Sequence, residues 1–191
     1  QRSILNGDKV TGISTFIIDK DIDTGNVILQ KELSIRDKNF GQIHNELSKM
    51  GANLVINSIN HIVQKKPLFE QQGSYTYAPK IKKDETQINW HLSSTNIINL
   101  IRAFSPTPGA FSYLNDKRVR IYEAIKSLDF ENSLAPGEIS ILNKKKLLIG
   151  SIDSPIEIKQ LQLEGKNIMD TASFINGYKN VLKNESKFKR R

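Results

Sequence analysis

The 191-residue sequence contains no cysteine. Disulfides and thiolate zinc sites are therefore excluded, which suits a reducing cytosol. No apolar run approaches the length of a membrane span, and no secretory hydrophobic segment is present. The expectation is a cytoplasmic protein with no membrane partner. Histidine is scarce: His44, His61 and His91 stand alone, with no i, i+4 pair and no carboxylate spaced to share a metal. All three read as solvated or locally bonded, and no metal is expected. Nor is there an internal repeat or an initiating methionine. The chain opens on Gln1 and enters directly with Ser3-Ile4-Leu5, so it reads as the carboxy-terminal part of a longer polypeptide.

Hydrophobic content of 38% and charged content of 25% are ordinary for a globular protein. The length allows one large domain or two small ones with real cores. Net charge is +8 and unevenly spread: residues 105–191 carry 15 basic and 10 acidic groups, while residues 1–66 carry 9 and 7. A basic second half favours a polyanionic partner such as nucleic acid, although a merely solvated basic surface has the same composition.

The most informative stretch runs from Thr11 to Gln30. Ile13, Thr15, Phe16, Ile17 and Ile18 form a short run of β-branched and aromatic residues, as expected of a strand covered on both faces. Val27 to Ile35 is a second such run. Between them lie Asp19, Asp21 and Asp23, with Gly25 free to turn sharply. Carboxylates on a short loop between buried strands sit on a stiff scaffold, where catalytic groups are often found. Asp23-Thr24-Gly25 also matches the core of aspartic proteases, where two carboxylates share a proton. Asn26 departs from that motif, and its single copy would require a homodimer.

Gln1 to Asn6 reads as the end of a helix stopped by Gly7. Asn39 and Gln42 form a capping box for a long helix whose apolar stripe takes in Phe40, Ile43, Leu47, Met50, Leu54, Ile59 and Ile62. Residues 67–92 read as a linker, in which Tyr75 and Tyr77 are expected to pack on a domain and Trp90 to act as a packing anchor. A helix capped by Ser93 or Ser94 follows, with Ile97, Ile98, Ile101 and Phe104 on its apolar face. From Gly109 the period becomes two. Strands are expected at Ala110–Leu114, Lys117–Ala124, Gly137–Leu142, Leu147–Gly150 and Ile156–Leu163, and a small helix at Asp170–Tyr178. Short strands with turn chemistry between them suggest a small antiparallel barrel. Val119 and Ile121 alternate with Arg118, Arg120 and Tyr122, and Lys144-Lys145-Lys146 marks a turn.

Gly12, the run Ile13 to Ile18, Asp19, Ile22, Asp23, Gly25 and Ile28 together resemble the signature of folate-dependent formyltransferases. Later blocks resemble the methionyl-tRNA formyltransferases among them. These are Tyr77 to Lys80 with Ile88-Asn89-Trp90, Ile101 to Phe104, Pro106 to Phe111, Ile158 to Lys166 with Met169, and Phe174 to Tyr178. The resemblance implies an α/β fold, the end of a Rossmann-like formyltransferase domain, plus a small all-β OB-like barrel domain. The boundaries expected are 1–66 for the catalytic part, 67–92 for the linker and 93–191 for the tRNA-binding domain. It implies formyl transfer from formyl-tetrahydrofolate to the α-amine of methionyl initiator tRNA, by a monomer. It assigns Asp23 as catalytic and Asp21, Ile22 and Asp23 to the pterin. Arg118, Arg120, Lys144, Lys146 and Lys159 are the candidates for tRNA phosphates, on charge and strand position. The family's catalytic Asn and His would precede Gln1, so the chain as given is expected to be inactive alone. Formyltransferases acting on sugar nucleotides, and a non-catalytic basic RNA-binding module, are the alternatives.

Overall fold

Local capping chemistry sets where the helices begin. Asn39 Oδ1 accepts from Gln42 N at 3.0 Å, while Gln42 Oε1 accepts from Asn39 N at 2.9 Å. This reciprocal pair satisfies two amides that the first turn leaves without partners. The computed structural model describes residues 1–127, 134–178, 182 and 187–190. Its elements are α1 (Arg2–Leu5), β1 (Val10–Phe16), β2 (Val27–Ser34), α2 (Phe40–Val63), α3 (Ser94–Phe104), β3 (Ala110–Leu114), β4 (Lys117–Lys126), β5 (Ile139–Leu142), β6 (Lys146–Ile149), β7 (Ile156–Leu163), β8 (Met169–Asp170), α4 (Thr171–Gly177) and β9 (Phe188–Lys189). A 3-10 turn occupies Lys83–Thr86. The chain divides into a hairpin unit, Asp8–Pro79, and a sheet unit, Gln1–Gly7 with Lys80–Arg191.

In the hairpin unit, β1 and β2 pair antiparallel from Val10↔Ser34 to Phe16↔Val27. Helix α2 lies across them. Its Ser58 Oγ meets Thr15 Oγ1 at 2.6 Å, and a Cβ on Gly51 would stand only 2.8 Å from Ile13 Cδ1. A larger residue at 51 would therefore require the Ile13 side chain to shift. Ile28, Ile35, Ile43 and Leu54 are buried. The strands are not covered on both faces, contrary to the sequence expectation. Along β1 the residues alternate between half-buried and exposed, because within this unit a single helix shields one side of a two-stranded sheet. The apolar stripe of α2 likewise thins out. Ile59 and Ile62 remain 57% and 46% exposed, and the helix stops at Val63.

The sheet unit is antiparallel, with strand order β5-β6-β7-β4-β3-β9 and β8 alongside β7. Its core joins Ile97, Ile101 and Phe104 of α3 to Val119 and Ile121 of β4, Ile158 and Leu161 of β7, and Phe174 of α4. Ser93 caps α3, accepting from Asn96 N at 3.3 Å. The Asp153 carboxylate accepts from Ser94 N at 2.6 Å and from Ser151 Oγ at 2.8 Å, tying the β6–β7 loop to the start of that helix. These donors, the Ser94 amide first, hold the Asp153 carboxyl below its usual range. The β3–β4 turn has Asn115 and Asp116 at φ 45° and 66°, both left-handed, as a two-residue hairpin requires.

This grouping differs from the boundaries read in the sequence. Gln1–Gly7 belongs with the sheet unit, where α1 packs on α3 and Arg2 Nη1 reaches Glu85 Oε2 at 2.6 Å. The expected linker is also divided. Phe69 exchanges two backbone hydrogen bonds with Val27 in the hairpin unit, whereas Ile88 and Trp90 are buried in the sheet unit. Tyr75 and Tyr77 do not pack on a domain. They are 80% and 85% exposed, and their rings meet edge-on at 5.3 Å. The segment that carries them forms no strand or helix to hold them against a core.

The Arg2–Glu85 pair makes one pH dependence explicit. The Arg2 guanidinium, with a bond from the Lys82 amide, holds the Glu85 carboxyl down at about 2. A depressed carboxyl contributes stability that is present above its unfolded range near 4.5 and lost as pH falls toward 2. Both side chains keep about a quarter to a third of their surface in water, so solvent screens the effect. Amide protection in α1 is expected to fall across that window in the native chain, and Glu85→Gln should flatten the response. An unchanged profile in the variant would show that another group controls it.

Candidate active-site loop and cationic strand face

The ten residues between β1 and β2 are shaped by backbone constraints. Ile17 N donates to Asn26 O at 3.0 Å and closes the base of the loop. Gly25 is buried there, and a Cβ at that position would stand 1.7 Å from Ile17 O, so no other residue fits without moving the backbone. Asp23 takes φ 58°, a left-handed conformation that Asp and Asn tolerate better than most residues. Thr24 Oγ1 donates to Asp21 O at 3.2 Å and tightens the tip.

Asp23 lines a cavity of about 820 Å3 within the hairpin unit, together with Ser14, Phe16, Leu29, Gln30, Phe69 and Gln71. The walls combine apolar Phe16, Val27, Ile28, Leu29 and Phe69 with the polar side chains of Ser14, Asp23, Gln30, Glu70, Gln71 and Gln72. Asp21 and Ile22 do not line it. Both lie at the exposed tip, Ile22 at 91% exposure. The strap Phe69–Gln72 forms one wall. Its Gln71, which sequence reasoning passed over as linker, donates from Nε2 to Asp23 O and to Gly25 O, each at 2.8 Å. No local pattern could have revealed this, since the partners lie more than 40 residues apart in the chain.

The histidines stay outside this chemistry. The His61 ring bonds Pro67 O at 2.9 Å, and His44 lies 5.8 Å from the Phe40 ring. Among the described residues, no group of three or more potential ligands is placed to hold a metal ion, and no helix is long and apolar enough to cross a membrane.

In the sheet unit, Arg118 and Arg120 project from the face of β4 opposite Val119 and Ile121. Arg118 lies 3.6 Å from Glu164 and over the Phe111 ring at 5.8 Å. Arg120 and Tyr122 both donate to Gln162 Oε1, at 3.3 and 2.8 Å. Lys146 and Lys159 converge instead on Glu157, which is only 7% exposed, at 4.0 and 2.5 Å. Lys144 stands in the β5–β6 turn, exposed, at φ 57°. The five basic candidates thus form an arginine pair, a lysine pair about a carboxylate, and a turn lysine. The acids Glu157 and Glu164, missed in the sequence, temper the charge of the first two groups.

The family model described as "Formyl transferase, C-terminal domain" matches residues 80–179. A methionyl-tRNA formyltransferase of Thermodesulfovibrio yellowstonii is 43% identical over 184 residues, covering 94% of this chain and 58% of that protein. One from Orientia tsutsugamushi is 34% identical over 179 residues, covering 93% and 58%. The fold is shared with HypX from Aquifex aeolicus, solved in complex with tetrahydrofolic acid, at a TM-score of 0.70 and 18% identity over 96% of this chain and 32% of that one. The chain thus spans about 58% of the length of the curated relatives named here. With more than half of its residues inside the matched domain, the chain belongs to the formyl transferase family.

Proposed function

We propose that the protein carrying this chain transfers a formyl group from formyl-tetrahydrofolate to the α-amine of methionyl initiator tRNA. The observation that carries the reading is the extent of the kinship. It runs over 94% of the chain and so includes the Asp23 loop as well as the basic sheet unit. In this reading residues 8–79 end a Rossmann-like catalytic domain, and the sheet unit is an OB-like tRNA-binding barrel. Support for closure comes from an antiparallel bridge, Glu138↔Lys187, which links the approaches to β5 and β9 at opposite ends of the strand path.

The bound folate supplies the electrophilic formyl carbon. Attack by the amine requires a group that takes up or relays the proton leaving nitrogen, and donors for the oxygen that gains charge. Asp23 is suited to the first need. Its carboxylate accepts only, and it stands on a loop pinned at both ends, where it can orient a water or a neighbouring imidazole. The donors would come from the Asn and His that the family resemblance places ahead of Gln1. The enzyme is read as a cytoplasmic monomer. Asp21 and Ile22 would meet the pterin from the exposed loop tip, outside the cavity lining.

For tRNA, the cations of β4, β6, β7 and the β5–β6 turn would meet phosphates. Lys144 is the most telling of them. A lysine at φ 57° occupies a position where glycine is the easier residue. Lys144→Gly should therefore raise stability by about 0.5–1 kcal/mol, while lowering the slope of log affinity against log salt by about one. Urea denaturation and filter binding against tRNA measure the two effects. Unchanged binding would remove Lys144 from the set.

The test of the whole reading is an acceptor assay on the full-length enzyme with formyl-tetrahydrofolate as donor. Formyl-methionyl-tRNA is the expected product, and amino-sugar nucleotides should remain unmodified. The opposite preference would move the enzyme to the sugar branch. Binding of tRNA with no transfer would leave an RNA-binding module.

A further inference from the structure

We propose that Gln71 is a positioning residue for formyl transfer, holding the Asp23 loop through both hydrogens of its side-chain amide. The inference rests on the catalytic reading of Asp23. One nitrogen serves two acceptors, Asp23 O and Gly25 O, each at 2.8 Å, and these flank Thr24 in the bend that presents Asp23. Gly25 is buried, so water is a poor substitute as partner for its carbonyl. Asp23 sits in a sparsely populated backbone region, which persists where surrounding structure enforces it. The strap itself is anchored. Phe69 donates to Val27 O at 2.9 Å and accepts from Val27 N at 2.7 Å. This bridge stands two residues before Gln71 and fixes the start of the strap that carries it. Phe69, Gln71 and Asp23 line the same cavity.

Gln71→Glu is the sharpest probe, because it keeps the shape and removes both donors. In the full-length enzyme, kcat should fall by about 100-fold, the scale expected for misplacing a catalytic group by roughly 1 Å, with KM for methionyl-tRNA changed less than about threefold. Activity of this variant should partly recover as pH falls toward about 5, where a protonated carboxyl regains one donor. Gln71→Ala should lose activity with no such recovery. Amide exchange in residues 17–26 should quicken in both variants. A Gln71→Glu enzyme with kcat within about threefold of wild type overturns the proposal, as does unchanged loop exchange. Asp23→Asn, assayed in parallel, separates the two ideas. If it stays active, the catalytic reading falls and the positioning role falls with it. If it is inactive while Gln71→Glu is normal, only the positioning role is lost.

Discussion

Asp23→Asn in the full-length enzyme is expected to lower kcat for formyl transfer by about 100- to 1,000-fold, or roughly 3–4 kcal/mol of barrier. The choice of asparagine matters. Asp23 stands at φ 58°, so alanine there would add backbone strain of order 1 kcal/mol and disturb the loop, confounding loss of charge with loss of shape. Asparagine tolerates the same conformation and keeps an acceptor oxygen, while the two bonds from Gln71 go to backbone carbonyls that the substitution leaves in place. What disappears is the negative charge and the capacity to take up a proton. KM for the folate should move less than about threefold, because the cavity walls at Phe16, Leu29 and Phe69 are untouched. Steady-state formylation of methionyl-tRNA measures both quantities. A kcat within about tenfold of wild type would mean that Asp23 only shapes the loop.

Features set by neighbours three or four residues away were legible before any coordinates. Asn39 with Gln42 and the Asn115-Asp116 turn form as their chemistry requires, and of the two serines offered as a cap for α3 it is Ser93 that accepts. The limits of β7 also agree, since Ile156–Leu163 interleaves apolar and polar residues and is bounded by a proline and a Glu-Gly turn. Features set by distant partners were not legible. Whether β1 is shielded on one face or two depends on what packs there, and β-branched residues fit either case. Lys146 reads as a free cation until the fold brings Glu157 of β7 beside it, whereas Lys159 lies two residues from Glu157 on the same strand, a pairing that the period of two already allowed. Gln71 looked like solvated linker because its acceptors lie in another segment. Asp23 was found in the sequence through its family signature, whereas its placement on a cavity wall is a tertiary fact.

Trp90→Ala should destabilise the sheet unit by about 3–5 kcal/mol, the range for emptying a large aromatic site in a core. Trp90 is the sole tryptophan and only 3% exposed. Its ring packs 5.7 Å from Phe188, and its Nε1 donates to Ser112 Oγ at 2.9 Å. That hydroxyl in turn donates to Lys189 O at 3.0 Å. One side chain thus ties β3 to β9, which pairs with β3 through Tyr113↔Lys189 and Leu114↔Phe188 and meets the approach to β5 through the bridge Glu138↔Lys187. Trp90→Phe separates the contributions. It keeps most of the ring and loses the hydrogen bond, so about 1–2 kcal/mol is expected. Circular dichroism is the proper monitor, because the substitution removes the native fluorophore. In hydrogen exchange, β9 should lose protection before β4 and β7, which pair with each other along seven residue pairs. A loss below about 1 kcal/mol for the alanine variant would show that the core closes over the gap, and that Trp90 is a passenger rather than the anchor of that edge.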